Sequence, residues 1–289
     1  MRNLLATTCL SSLAWVAMTA PAHGETAIST ARTTAVNTAT ANAGAADDVK
    51  ITSAGSITLT SGVAVTIDSA NKVVNEGTVK VTNADDAVGI LASAASGSIT
   101  NTGTITIDET YTPTDADSDG DLDGPFAAGA RRFGIRTAGT FSGAIVNSGT
   151  ITIEGNDSAG IALGGPLTGS LSTDGTITVT GDRSVGVRAG AVTGPVRIAG
   201  TITARGQGAM GASLEGDITG ALVVQGAISA SGYRSTTLPT DTSKLDADDL
   251  LQGGPALSIS ANVTGGVILA VPPKDNSTTD NDEDKDGIE

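Results

Sequence analysis

The chain has 289 residues, a formal net charge of −15 at pH 7 and only 2% aromatic residues. This acidity argues against nucleic acids and anionic membrane surfaces as partners, since both carry charge of the same sign. The single cysteine and the single histidine, Cys9 and His23, lie at the N-terminus, so the rest of the chain can form no disulfide and offers no histidine base.

The N-terminus has the pattern of a secretion signal. A short basic start, Met1-Arg2, precedes an apolar stretch from Leu4 to about Ala20, and small residues follow it. The alternative is a transmembrane anchor, but a stretch this short with a small-residue exit favours cleavage. We therefore expect residues 1–24 to be a signal peptide and the protein to be exported across the inner membrane.

Residues 25–50 are rich in Ala and Thr and show little apolar periodicity. We expect this segment to be a loose lead-in that helps to cap the fold that follows. A cap is needed because an exposed strand edge at the end of a stack invites aggregation.

A repeated phrase, Asn-x-Gly-Thr-Ile-Thr-Ile, organises residues 51–271. Clear copies run from Asn101 to Ile107 and from Asn147 to Ile153, and weaker copies precede and follow them. The repeat glycines lie at positions 77, 103, 149, 175, 200 and 226, so every step but one is 25 or 26 residues. A fixed period of this length predicts a solenoid, here of about six to seven turns.

Each period contains three short stretches in which apolar and small polar residues alternate. Examples are residues 105–107, 134–135 and 143–145, and the second and third kinds begin at a glycine. Such alternation is typical of strands with one buried face. Three strands per period, separated by glycine-rich bends, predict an all-β fold, a right-handed parallel β-helix with successive turns about 4.8 Å apart.

Three asparagines, Asn75, Asn101 and Asn147, share one place in the period, two residues before the repeat glycine. An isolated asparagine could be a binding group. At the same register in three turns, a structural ladder of amide hydrogen bonds is the favoured interpretation.

Two insertions, near 109–131 and 233–254, interrupt the period at the same bend, between the first and second strands. Each begins with a tyrosine, Tyr111 or Tyr233. Because they interrupt one bend, we expect both to emerge from one edge of the rod. Solenoids usually bind other molecules through long loops that leave the rigid stack.

The first insertion carries the alternating carboxylates of a calcium loop. Asp115, Asp117, Asp119 and Asp123 would supply side-chain oxygens and Asp121 its backbone carbonyl, around a glycine at the sixth position. The twelfth position lacks the glutamate of the helix-flanked version of this loop, and a solvated acidic loop is the alternative. We predict a Ca²⁺ site in the weak extracellular range, with a Kd of about 10⁻⁴ to 10⁻³ M.

The run from Asn147 to Ile153, the export signal and the Gly-Ile turns resemble the passenger region of bacterial autotransporters (type V secretion). The resemblance covers roughly Ile51 to Val271 and implies a β-helix on the surface of a Gram-negative bacterium. The family's outer-membrane β-barrel has no match here, because residues 272–289 form an acidic tail or linker without alternating membrane strands. The resemblance implies either the N-terminal part of a longer autotransporter, with a downstream barrel as partner, or a solenoid released by another route.

Parallel β-helices also host polysaccharide-active enzymes, which cluster carboxylates, Arg or Lys in a groove on one strand face. The charged candidates in this chain are Glu154, Asp182, Arg183, Arg136, Arg188, Arg197 and Arg205. Arg136 and Arg188 share a register two turns apart, but Ala162 and not a carboxylate lies between them. With no histidine base, no nucleophile-elbow sequence and few aromatics, we expect no enzyme.

Paired threonines predict an outward array along the first strand of each turn. The pairs are Thr104/Thr106, Thr150/Thr152, Thr176/Thr178 and Thr201/Thr203. Some ice-binding solenoids use this geometry, although the β-propensity and solubility of threonine account for the column without a ligand.

Together these patterns favour an exported solenoid for display or adhesion. Its contact region for a host or surface ligand would be the insertion edge, Tyr111 to Arg131 and Tyr233 to Gly254. A stalk that holds a downstream domain away from the membrane is the structural alternative. A polysaccharide-active enzyme and an ice-binding solenoid are less favoured.

Overall fold

The backbone winds into a parallel β-solenoid of about eight turns, with about 26 residues per turn. The structure is a computed structural model and describes residues 24–116, 122–232, 241–245 and 247–271. Three parallel sheets, named A, B and C below, run along the stack. This arrangement confirms the all-β solenoid that the period predicts.

The strands are short, and successive turns add them to the three sheets in the same order. Sheet A contains Glu25–Ile28, Asp48–Ile51, Lys72–Asn75, Ser98–Asn101, Ile145–Asn147, Leu171–Thr173, Val196–Ile198, Leu222–Val224 and Val267–Leu269. Sheet B contains Ala31–Arg32, Ser56–Leu59, Thr78–Thr82, Thr104–Asp108, Thr150–Glu154, Thr176–Thr180, Thr201–Arg205 and Ala227–Ser231. Sheet C contains Val36–Asn37, Val63–Ile67, Val88–Ala92, Phe133–Thr137, Ala159–Leu163, Val185–Ala189, Met210–Leu214 and Leu257–Ile259.

Helical structure is limited to two single-turn 3₁₀ helices in the described residues, Thr38–Thr40 and Thr242–Lys244. Within that part of the chain, no helix has the length and the hydropathy needed to cross a membrane.

Equivalent residues of successive turns stack directly on one another. In sheet B, Ile105 pairs with Ile151, and Ile151 pairs with Ile177. These isoleucines are fully buried, whereas the threonines between them face outward. The alternation that the sequence shows therefore separates an apolar interior from a polar exterior at every turn.

The first turn begins at residue 25, whereas the repeat predicts that the solenoid starts at residue 51. Residues 25–50 are not a loose lead-in, because Glu25–Ile28 pairs in parallel with Asp48–Ile51 along its whole length. The large apolar side chains of this segment, Ile28, Val36 and Val49, are buried in the interior. Pairing with the next turn, together with this burial, makes the segment a turn of the stack, and the count is about eight turns instead of six or seven.

A fourth, shorter ladder lies between sheets C and A. Phe141–Ser142 pairs with Leu167–Thr168, and single bridges continue the ladder through Val192, Ile218 and Val263. An apolar residue, then Ser or Thr, then Gly recurs at each of these places. The three-strand prediction lacks this ladder, although the triplet that marks it repeats in the sequence.

Glycines let neighbouring turns approach closely at several recurring places in the period, among them the positions of Gly160 and Gly149. At Gly160, a Cβ atom would lie 2.4 Å from the Cγ2 atom of Ile177 in the next turn. At Gly149, it would lie 2.1 Å from the carbonyl oxygen of Gly103 in the turn before. Both distances are shorter than any side chain tolerates, so these positions require glycine for space and not only for its backbone freedom.

The three asparagines form a buried column of hydrogen bonds inside the bend between sheets A and B. Asn75 donates from Nδ2 to Oδ1 of Asn101 at 2.7 Å, and Asn101 donates in the same way to Asn147 at 2.7 Å. Asn147 then donates to the hydroxyl of Thr173 at 3.2 Å. All four side chains are fully buried, so the column satisfies polar groups that water cannot reach.

The substitution Asn101→Ala is expected to lower the free energy of unfolding by about 1–3 kcal/mol, because it removes a partner from the buried amides of Asn75 and Asn147. Chemical denaturation followed by circular dichroism measures the change. Ser148→Ala is the matched control, since Ser148 is exposed on the same bend, and its effect should stay within about 0.5 kcal/mol. Equal losses in the two variants would contradict a stabilising role for the column.

The two ends of the stack differ in polarity. At the N-terminal end, the hydroxyl of Thr26 donates to the buried carboxylate of Asp47 at 2.9 Å. At the C-terminal end, the following large apolar side chains are between 38% and 86% exposed: Ile259, Val267, Ile268, Leu269 and Val271. An open apolar groove of about 450 Å³ lies beside them.

Candidate functional site

Both insertions leave the rod at the bend that joins sheet B to sheet C. The first lies between Thr104–Asp108 and Phe133–Thr137, and the second between Ala227–Ser231 and Leu257–Ile259. They therefore emerge from one edge, as their place in the period predicts. Four strand-to-strand steps separate their bases, which corresponds to about 19 Å along the rod.

The base of the first insertion is closed by a buried ion pair. The guanidinium of Arg132 lies 2.7 Å from the carboxylate of Glu109, and the two side chains are only 2% and 6% exposed. Arg132 also donates to the backbone carbonyl oxygens of Ala84 and Glu154 at 2.8 and 2.6 Å. A buried pair holds its geometry only when its remaining hydrogen bonds are also made, and here the neighbouring turns supply them.

Glu109 also accepts hydrogen bonds from the far end of the same insertion. Its two carboxylate oxygens accept the backbone N–H groups of Ala128 and Gly129 at 2.6 and 2.8 Å. The beginning of the insertion and a point near its end are thereby joined through one carboxylate. The base of this insertion is therefore anchored to the rod.

The two insertions touch each other above the rod. The backbone N–H of Gly124, in the first insertion, donates to the carboxylate of Asp248, in the second, at 3.0 Å. The second insertion is in turn tied to the rod, because the N–H of Gly208 donates to the carbonyl oxygen of Gln252 at 2.8 Å. The described parts of the two insertions are thus linked to each other and to the rod.

Large apolar side chains are exposed on this surface. Tyr111 is 36% exposed, Leu122 is 45% exposed and Leu250 is 62% exposed. Tyr233, the tyrosine expected at the start of the second insertion, lies outside the described residues. The described part of the insertion edge therefore carries exposed apolar side chains beside acidic residues of both loops.

A column of alternating charges follows the same bend along the rod. Arg131 forms a two-point ion pair with Asp86 in the preceding turn, and Arg183 does so with Asp157. All four residues have φ between 51° and 57°, a left-handed conformation that is unusual for arginine. The hydrogen bonds from Arg131 and Arg183 hold the pKa values of Asp86 and Asp157 below their usual range.

The predicted calcium ligands are only partly within the described residues. Asp117, Asp119 and Asp121 lie outside them, whereas Asp115 and Asp123 are described. The ends of this loop are held together, because Asp123 forms an antiparallel bridge with Thr114 and its carboxylate accepts the N–H of Ala116. In the described part of the chain, no three acidic, histidine or cysteine side chains are grouped as metal ligands would be.

The charged residues considered for catalysis are distributed over different faces. Arg197, on sheet A, lies 2.7 Å from Asp174, whereas Arg188, on sheet C, lies 3.5 Å from Glu215. Arg136 covers the ring of Phe133 with its guanidinium carbon 4.5 Å from the ring centre.

The remaining candidates contact backbone groups at the bend between sheets B and C or lie on sheet B. Glu154 accepts the N–H of Glu109 at 3.2 Å, and Asp182 accepts the N–H of Gln207 at 2.9 Å. Arg205 ends a strand of sheet B and is exposed. These contacts are of the kind that fixes neighbouring turns, and they do not converge on one groove.

The threonine pairs form the outer face of sheet B, in register over four turns. A shallow groove of about 460 Å³ runs beside them along the bend from sheet A, with the repeat glycines as part of its lining. Its other lining groups are mainly the hydroxyls of Thr and Ser and the carboxylate of Asp174.

Comparisons of this chain with family models, with curated proteins and with solved structures give no match.

Proposed function

We propose that this protein is an exported β-solenoid of the cell surface or extracellular space of a Gram-negative bacterium, without catalytic activity, which presents the insertion edge to a host or surface ligand. In this proposal it is the N-terminal passenger part of an autotransporter. The signal-like pattern of residues 1–24 and the repeat support export and display.

The contact between the two insertions is the observation that carries the adhesive role. Two loops whose bases are about 19 Å apart meet at Gly124 and Asp248, and the first is fixed at its base by the Arg132–Glu109 pair. A binding surface held in one arrangement loses little conformational entropy when it binds. A rod that served only as a stalk would need no such surface.

Replacing both insertions tests this role. In the variant, residues 109–132 and 232–254 are each exchanged for the four-residue bend Gly155 to Ser158, which joins sheets B and C in an uninterrupted turn. Beads coated with the variant are expected to attach to epithelial cell layers at least about tenfold less than beads coated with the parent, because the variant lacks the proposed contact surface. A tenfold loss of affinity corresponds to about 1.4 kcal/mol of binding free energy.

The matched control is Thr152→Lys/Thr178→Lys, which alters an outward face of sheet B and leaves the edge intact. This control is expected to attach as the parent does. Unchanged attachment after removal of both insertions would overturn the adhesive role and support the stalk.

We also propose that the loop Asp115 to Asp123 binds Ca²⁺ and stiffens the first insertion. Calorimetric titration with CaCl₂ is expected to give a Kd of about 10⁻⁴ to 10⁻³ M for the parent. The variant Asp117→Ala/Asp119→Ala should give no binding heat, and Asp241→Ala, in the second insertion, should bind as the parent does. Equal heats from the parent and the double variant would contradict the site.

A further inference from the structure

No further inference is drawn: the strongest candidate, the apolar end face that the last turn leaves between Ile228, Leu257 and Leu269, carries nothing because no contact in the described part of the chain shows what covers it.

Discussion

Replacing Arg132 by methionine is expected to lower the free energy of unfolding by about 3–5 kcal/mol, because the carboxylate of Glu109 would stay buried without its cation. The change also removes the hydrogen bonds to the carbonyl oxygens of Ala84 and Glu154. Urea denaturation followed by circular dichroism measures the loss. Hydrogen exchange should show faster exchange at Ala128, whose N–H is bonded to Glu109.

Two further variants separate the buried pair from charge in general. Arg183→Met removes a guanidinium that is 61% exposed and paired with Asp157, so it should leave the stability close to that of the parent, because solvent screens an exposed pair. Arg132→Met combined with Glu109→Leu removes both buried charges and is expected to recover part of the stability lost in the single variant. The recovery is only partial because the two backbone N–H groups bonded to Glu109 lose their acceptor. A loss for Arg132→Met no larger than that for Arg183→Met would show that the pair does not hold the insertion base.

Gly149→Ala is expected to cost about 3 kcal/mol, near the top of the range for overpacked sites. Its Cβ atom would lie 2.1 Å from the carbonyl oxygen of Gly103 and 2.9 Å from Nδ2 of Asn101. Because the first of these atoms is backbone, relief requires two turns to separate and weakens the pairing around them. The thermal unfolding midpoint and urea denaturation both report the change.

Gly139→Ala is the matched control for this effect. A Cβ atom at Gly139 would meet nothing within 4 Å, so the same added methyl group should leave stability within about 0.5 kcal/mol of the parent or raise it slightly. If both variants lost the same stability, the cost would come from backbone freedom and not from the close approach of the turns.

The regular part of the fold could be predicted from the sequence because each turn repeats the same physical solution. The phrase from Asn147 to Ile153 already contains the buried amide, the crowded glycine and the alternating strand. The turn at 25–50 has the same backbone path but lacks the phrase. Its large apolar residues, such as Ile28 and Val36, are too few for their spacing to reveal a period. Pairing with the next turn, and not local composition, decides its structure.

The candidate site could be predicted in place but not in detail. The common bend follows from the period, and so does the shared edge. The Arg132–Glu109 pair does not, because its two residues belong to an irregular segment, and their burial arises only when the insertion closes onto the neighbouring turns. The link between Gly124 and Asp248 joins residues of two such segments, for which no repeated pattern exists to compare.

The register of the ladders limits how such a molecule can change its length in evolution. Removal of residues 150–175 would join Gly149 directly to Thr176, so that the neighbours of the lost turn would meet with like residues opposite each other. A duplication of one whole unit would be accommodated in the same way. Genes for this architecture are therefore free to grow or shrink in steps of one complete coil, whereas a gain or loss of a single codon within a strand would exchange the inner and outer faces.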